Sequence, residues 1–209
     1  MQNKTISFGG IPITVEKTDL VLNNEEKKYI EQQTMYGKEE SVQTSENIFL
    51  LDNLIMKRIK DHYMEIINKY TEEVMQINNK FVMISSWCAV NFQDRSHHPH
   101  RHLNSVLSLV HYIQCESGAL NLKIDRSSYE QGFNFDYDIK NYNYFNSRFL
   151  NVDVKTNDVV IFPSWIEHST HPNKSPKPRI VIAADFFPTG VLGSEINNDY
   201  LNITVNAKS

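Results

Sequence analysis

The change of residue pattern after Lys80 constrains the fold most strongly. Six segments between residues 81 and 187 are short, rich in β-branched and aromatic residues, and separated by polar or Pro-containing connections, which is typical of strands. They are 81–92, 105–114, 118–124, 148–154, 158–166 and 179–187. Before Lys80, apolar residues recur at helical spacing over 48–77, and the segment 25–35 follows a capping Asn-Asn pair. Helices followed by a run of strands predict an α+β chain, mainly β, whose second part is a sandwich or barrel.

The remaining segments complete this prediction. Residues 5–16 predict two short strands, 36–47 a polar loop, and 125–147 a long insert of the length used for lids and binding loops. We expect a single domain over 1–209. Its parts would be N-terminal strands and helices (1–80) that pack on a barrel, a core (81–190) and a C-terminal arm (191–209).

Composition restricts the class of protein and its partners. A 24.3 kDa chain with 40% hydrophobic residues buries a sizeable core without needing a metal or disulfide to fold. Its net charge of −4 gives no bulk attraction to nucleic acid or anionic membrane. The sequence has no apolar run of ~18 residues, no apolar signal-peptide core, and two cysteines, Cys88 and Cys115, that make no disulfide framework. We therefore expect a cytoplasmic protein with no nucleic-acid or membrane partner.

The histidines predict a metal site. Four of the eight fall in the run from His97 to His102. His100 and His102 are one residue apart, so in an extended segment both imidazoles project from one face and can reach one metal. His168 follows a distant strand, and a barrel brings such strands to a common mouth. Three protein ligands leave positions open for substrate or oxygen. The alternative is an exposed loop with adventitious metal affinity beside a packed His168.

Arg179 is the second candidate for a site. It lies eleven residues after His168 and opens an apolar strand. An arginine that points into a barrel is costly unless an anion meets it, and its forked guanidinium suits a carboxylate. The alternative is a surface arginine that pairs with Asp185 or Glu167.

Together, these features resemble the iron(II)/2-oxoglutarate-dependent oxygenase superfamily, in its prolyl-hydroxylase-like branch. The resemblance covers 81–187 and rests on four motifs in the same order. They are Trp87-x-x-x-Asn91; His100-Arg101-His102-Leu103-Asn104-Ser105; the strand from Ser108 to Ile113; and Phe162-Pro163-Ser164-Trp165-x-x-His168, with Pro172-Asn173 and Arg179.

Four positions depart from the superfamily's usual pattern, among them Asn157-Asp158, which replaces the usual Gly before the His168 strand. His102 stands where an acidic ligand is usual, although the related set often has histidine there. Leu109 replaces a small residue near the site, and Val181 replaces a polar residue that hydrogen-bonds the co-substrate.

The resemblance implies a double-stranded β-helix, which is a jelly-roll or cupin-like barrel, with N-terminal supporting helices. It also implies Fe(II), the co-substrate 2-oxoglutarate, and O₂ as cofactors. His100, His102 and His168 would hold the iron, while Arg179 and Tyr112 would bind the distal carboxylate of 2-oxoglutarate. Asn91 would contact the iron-proximal end, and Trp87 and Trp165 would support the site by packing.

The function that the resemblance implies is hydroxylation of a C–H bond, on a prolyl or other peptide side chain. A small-molecule substrate and a homodimer remain open. One alternative is a three-histidine metal enzyme that does not use 2-oxoglutarate, such as a zinc hydrolase or a cupin-like dioxygenase. Another is a non-catalytic barrel used for binding. Arg179 in the co-substrate position argues against both.

Overall fold

The computed structural model describes residues 10–37, 42–124, 138–143, 146–196 and 199–206. Its two α-helices are α1 (Asn24–Glu31) and α2 (Lys57–Lys69). The strands are β1 (Thr14–Lys17), β2 (Met35–Tyr36), β3 (Val42–Ser45), β4 (Lys80–Asn91), β5 (Leu107–Gln114), β6 (Ala119–Lys123), β7 (Phe149–Asp153), β8 (Asp158–Pro163), β9 (Glu167–Thr170), β10 (Arg179–Leu192) and β11 (Leu201–Ile203).

The strands form two antiparallel sheets. The large sheet has the order β1-β8-β5-β10-β4-β3-β2, with β11 beside β10, and the small sheet has the order β7-β6-β9. From β5 onward the chain alternates between the sheets: β5 lies in the large sheet, β6 and β7 in the small one, β8 in the large, β9 in the small and β10 in the large. This winding is that of a double-stranded β-helix, and the predicted fold class is confirmed.

The two faces of the large sheet bury different cores. One face packs against the helical layer, where Tyr63 and its neighbours on α2 meet Leu107 and Leu109. The other face packs against the small sheet and contributes Val110 and Tyr112. Because side chains alternate along a strand, β5 sends odd-numbered residues to the helices and even-numbered residues to the space between the sheets. That inner space holds the candidate site.

The prediction of one helix over 48–77 is wrong in its first third. Two 3₁₀ turns, Leu50–Asp52 and Leu54–Met56, precede α2, and a π-helical turn, Tyr70–Val74, follows it. Asn53 is extended between the two turns, and its side chain accepts a hydrogen bond from the Ile55 backbone N–H. An asparagine that caps in this way starts a new helical segment and ends the periodicity of the earlier one.

Two other segment predictions also need correction. The loop predicted over 36–47 contains β3, which pairs along the free edge of β4, and the last residue of β2. The unpaired N–H and C=O groups at the edge of a strand can form hydrogen bonds with a polar segment, even when the sequence of that segment shows no apolar alternation. The strand predicted over 179–187 continues to Leu192 as β10, and β11, from the predicted C-terminal arm, pairs with its end.

Some predicted features lie outside the described residues. Most of the 125–147 insert, which was the predicted lid, is among them, as is the first of the two strands predicted over 5–16. Within 10–17, the described chain forms the single strand β1. β1 and β3 pair with the core strands β8 and β4, which agrees with one domain, and the exact domain boundaries stay a prediction. In the described part of the chain, no helix has the length and apolar character needed to cross a membrane.

His111 lies on the helix-facing side of β5 and gives a pH-dependent contribution to stability. It is fully buried, and its Nδ1 lies 2.9 Å from the Tyr63 hydroxyl, while its Nε2 has no hydrogen-bond partner among the described residues. Burial and, to a lesser extent, the nearby His62 lower the pKa of His111 from 6.5 to about 4. The folded protein therefore resists protonation at this ring.

We predict that acid destabilises the protein partly through His111. Between pH about 6.5 and about 4, His111 is protonated in the unfolded chain but not in the folded chain. The free energy of unfolding therefore falls as the pH is lowered through this window, by up to about 1.4 kcal/mol per pH unit. Urea unfolding at pH 7, 6 and 5 should show a shallower fall for His111→Gln. An equal fall in both proteins would contradict this role.

Candidate active site

A short backbone pairing joins the two segments that carry the histidines. The His100 N–H donates to the His168 carbonyl (3.0 Å), and the His168 N–H donates to the His100 carbonyl (2.9 Å). Two residues on, the His102 N–H donates to the Ser164 carbonyl (3.1 Å). His168 is also held by β9, which pairs with β6 in the small sheet. These bonds bring segments that are distant in the sequence into register.

The pairing brings the three predicted histidines together. One ring nitrogen from each of His100, His102 and His168 lies within 4.8 Å of the others. The Nε2 atoms of His100 and His102 are 3.3 Å apart, and the His100 and His168 ring centroids are 4.2 Å apart. Three imidazoles at this separation can donate to one metal ion.

The second nitrogen of each ring explains how the rings are oriented. Each Nδ1 lies against an oxygen that can only accept: His100 against the His98 carbonyl (2.9 Å), His102 against Asp185 Oδ1 (2.7 Å), and His168 against the Ile166 carbonyl (3.0 Å). Each Nδ1 therefore carries the proton and donates it. The Nε2 lone pair of all three rings is left for a metal, which is the usual arrangement of metal-binding histidines.

The protonation state also suits a metal. Burial and, to a lesser extent, the neighbouring His100 lower the pKa of His168 to about 3. Burial likewise lowers the pKa of His100. Both rings are therefore neutral near pH 7, and neutral imidazole is the form that binds metal ions. Three such donors suit Fe(II) or Zn(II).

Aromatic rings surround the histidines. The Trp87 ring packs 5.1 Å from the ring of His102, as the packing prediction expected. Trp165, in contrast, is 51% exposed, so the prediction that it supports the site by packing is wrong. His97 is half-buried, and its ring lies 4.1 Å from the His100 ring. It lines a pocket between the two sheets that the three histidines also border.

Arg179 lies at the other end of this pocket. It is 1% exposed at the first residue of β10, and its Nη2 donates to Thr170 Oγ1 (2.7 Å) and to the His171 carbonyl (3.0 Å). The alternative of a surface arginine paired with Asp185 or Glu167 is wrong. Asp185 pairs with His102, and Glu167 pairs with Lys123 and Arg101.

The guanidinium of Arg179 is incompletely satisfied. Its Nε and Nη1 have no hydrogen-bond partner in the part of the chain that the structure describes, and no carboxylate there forms an ion pair with it. A buried cation with two unused donors is costly without an anion. The space beside Gly118 permits this placement, because a Cβ at that position would lie 2.3 Å from Nη1.

The walls between the histidines and Arg179 are mostly apolar. They include Trp87, Ala89, Val110, Leu120, Val181 and Ala183. Val181 thus contributes an apolar wall where the superfamily often has a polar residue. Leu109 faces the helical core instead, so that departure does not touch the pocket.

Tyr112 and Asn91 both line the pocket and are almost fully buried. Burial raises the pKa of Tyr112 well above its usual value, so its hydroxyl stays neutral and can donate a hydrogen bond. Asn91 lies directly opposite Arg179 in the β4–β10 register, four residues from Trp87, and its Nδ2 has no partner among the described residues. Asn91 is therefore at the arginine end, not at the iron-proximal end.

Five residues of the site, Thr170, Ser108, Ser164, Asp185 and Gly118, were not predicted as such. Thr170 follows His168 by two positions on the same strand, so the period of two could have placed it on the same face. Ser108 bonds to Ser164 and to Asp185 behind His102, and Gly118 contacts Arg179. These contacts join different strands, and spacing along one segment gives no signal for them.

Comparison with known protein families identifies part of the chain. Residues 85–185 match the model of a family described as "Putative 2OG-Fe(II) oxygenase". No curated protein matches the chain. Fe(II) and 2-oxoglutarate are the cofactors of that family. The three Nε2 atoms fit the metal, and the unsatisfied Arg179 fits a carboxylate.

Several solved structures have the same fold. HygX from Streptomyces hygroscopicus, crystallised with nickel, 2-oxoglutarate and hygromycin B, is 13% identical, with a TM-score of 0.57 over 86% of this chain and 84% of its own. The α-ketoglutarate-dependent epimerase SnoN from nogalamycin biosynthesis is 12% identical, with a TM-score of 0.57 over 94% and 87%. A Pseudomonas putida prolyl-4-hydroxylase is 11% identical, with a TM-score of 0.54 over 84% and 92%. At these identities the likeness establishes the fold alone.

We predict that His100→Ala or His168→Ala weakens metal binding at least about 100-fold, because each variant removes one of three Nε2 donors. The measurement is anaerobic Fe(II) or Co(II) titration of the apo-protein, with circular dichroism to check the fold. His98→Ala is the control, since alanine keeps the backbone carbonyl that contacts His100 Nδ1 and His98 offers no nitrogen to the three-histidine set, and it should bind normally. Full metal content in either ligand variant would rule out the site.

Proposed function

We propose that this chain, whose residues 85–185 match the model of the family described as "Putative 2OG-Fe(II) oxygenase", is an Fe(II)- and 2-oxoglutarate-dependent dioxygenase. One observation carries the proposal. A buried guanidinium with two unused donors and three convergent imidazole Nε2 atoms line the same pocket. A dicarboxylate whose ends need a cation and a metal is the ligand that satisfies both.

In this proposal His100, His102 and His168 hold Fe(II). Arg179 binds the distal carboxylate of 2-oxoglutarate through Nε and Nη1, which are unused in the described protein. The Tyr112 hydroxyl donates a hydrogen bond to the same carboxylate. Asn91, on the strand opposite Arg179, donates a second hydrogen bond to it through Nδ2.

When bound, Fe(II) with 2-oxoglutarate and O₂ supplies the oxidation of a substrate C–H bond, while 2-oxoglutarate becomes succinate and CO₂. The chain's own contribution is to position and to exclude water. Thr170 and the His171 carbonyl hold the guanidinium in place, so Arg179 fixes one end of the co-substrate. The apolar walls around Ala183 and Val181 match the methylene carbons between the two carboxylates.

We extend the proposal to hydroxylation of a peptide side chain, such as a prolyl residue. The shared fold with the P. putida prolyl-4-hydroxylase supports this choice. HygX, crystallised with hygromycin B, and the epimerase SnoN combine the same fold with other substrates or outcomes. The product's mass separates the reactions, because hydroxylation adds one oxygen atom and epimerisation adds none.

The first experiment adds Fe(II) and then 2-oxoglutarate to the apo-protein without oxygen and records the visible spectrum. A metal-to-ligand charge-transfer band that requires both additions is expected. Succinate release is then followed with proline-containing peptides and with small molecules. A protein that binds metal but gives no such band would be the three-histidine metal enzyme without 2-oxoglutarate. One that binds neither would be a non-catalytic barrel.

Arg179→Ala should weaken 2-oxoglutarate by two or more orders of magnitude while iron content changes little. Removing one partner of a buried ion pair costs roughly 3–5 kcal/mol, and each 1.4 kcal/mol is tenfold. Arg179→Lys should be intermediate because a point charge replaces the fork. The measurement is 2-oxoglutarate titration of the iron-loaded protein, with the exposed Arg95→Ala as control. Unchanged affinity in Arg179→Ala would refute the co-substrate role.

Gly118→Ala should also weaken 2-oxoglutarate, because its Cβ would displace the guanidinium from a distance of 2.3 Å. Gly190→Ala is the matched control: Gly190 also has a positive φ, but a Cβ there meets nothing within 4 Å. Both variants carry a backbone penalty, and only Gly118→Ala should raise the 2-oxoglutarate dissociation constant, which the same titration measures. Equal constants in the two variants would contradict this role of Gly118.

A further inference from the structure

A buried carboxylate lies directly behind one of the three histidines. Asp185 is 5% exposed on β10, and its Oδ1 is 2.7 Å from His102 Nδ1. The Ser108 hydroxyl donates to the same oxygen (2.7 Å) and lies 2.8 Å from Ser164 Oγ. Ser108 and Asp185 are direct neighbours across the β5–β10 pair, so this arrangement is built into the large sheet.

The carboxylate of Asp185 forms no ion pair with a lysine or arginine of the described residues. Across the described ranges, neither lysine nor arginine lies within ion-pair distance of it, and its partner is the His102 ring. A buried carboxylate without a cation is costly, and hydrogen bonds from an imidazole and a hydroxyl compensate that cost only in part. A divalent metal on the opposite nitrogen of the same ring supplies the missing positive charge.

The three histidines that would bind the metal lack a negative charge. Three neutral imidazoles bring no negative charge to a divalent ion. Asp185 is one hydrogen bond away from that set, and it accepts the proton of His102 Nδ1. A carboxylate in this position orients the ring and makes Nε2 a stronger donor, an effect worth 10–100-fold in metal affinity.

We propose that Asp185 is a positioning residue that supplies the site's negative charge through His102, taking the place of an acidic ligand. The inference rests on the proposed function only in requiring that His102 binds the metal. Ser108, supported by Ser164, holds Asp185 Oδ1 against the ring. The large sheet thus keeps a carboxylate behind a ligand that would otherwise be one of three neutral groups.

The test titrates apo-protein with Co(II) and with Fe(II) at one fixed pH near 7.5. Asp185→Asn keeps an oxygen that accepts from His102 but removes the charge, and it should bind metal 10–100-fold more weakly. Asp158→Asn is the matched control: Asp158 is also a largely buried carboxylate, but it caps the Lys155 backbone and lies near Lys17. It should bind metal as the wild type does.

A charge-relocation pair makes the test sharper. His102→Asp places a carboxylate on the metal, but beside Asp185, and two buried carboxylates at that distance repel each other. The double variant His102→Asp/Asp185→Asn should therefore bind Co(II) more tightly than His102→Asp alone, although Asp185→Asn weakens binding in the wild-type background. This reversal of sign is a non-additive coupling that simple loss of structure does not produce.

A readout without metal checks the same contact. Nitrogen-15 NMR of the apo-protein should report His102 as the Nδ1–H tautomer, and Asp185→Ala should raise the fraction of the Nε2–H form. If His102→Ala retains full metal affinity, the proposed metal site is wrong. If His102→Ala loses metal but Asp185→Asn binds as the wild type does, the metal site stands and the role of Asp185 is overturned.

Discussion

The backbone pairing between 97–102 and 164–170 is the constraint on which the site depends. His100 and His168 exchange both of their backbone hydrogen bonds, which fixes the distance between them whether or not a metal is present. The same two segments provide the carbonyls of His98 and Ile166 that orient two of the rings. Folding therefore sets both the positions and the tautomers of the ligands, and little reorganisation remains for metal binding.

Strand β10 carries the charges of the pocket. Arg179 lies at its start and Asp185 six residues later on the same face, with Val181 and Ala183 between them. Both charged side chains are buried: Arg179 Nε and Nη1 have no hydrogen-bond partner among the described residues, and no lysine or arginine there lies within ion-pair distance of Asp185. These two buried charges lower the free energy of unfolding of the free protein. Binding of a metal and of a carboxylate ligand would raise it again.

The two faces of the large sheet carry residues with different roles. On β5, His111 faces the helical layer and Tyr63, while its neighbour Tyr112 faces the pocket. The helical layer covers one side of the large sheet, and the inner side holds the three histidines and Arg179 among apolar residues. A change at His111 is therefore expected to alter the free energy of unfolding, and a change at Tyr112 is expected to alter ligand binding.

The sequence alone determined the strand-rich core, the three histidines and the arginine, because alternation and i,i+2 spacing are local properties that strands preserve. It did not reveal β3, whose polar residues pair only because β4 offers a free edge, or the break at Asn53, where a side-chain cap interrupts an apolar repeat. Tertiary structure also decided which groups stand behind the ligands. Asp185, Ser108 and Gly118 act through contacts between strands, and the register that creates those contacts depends on the whole sheet.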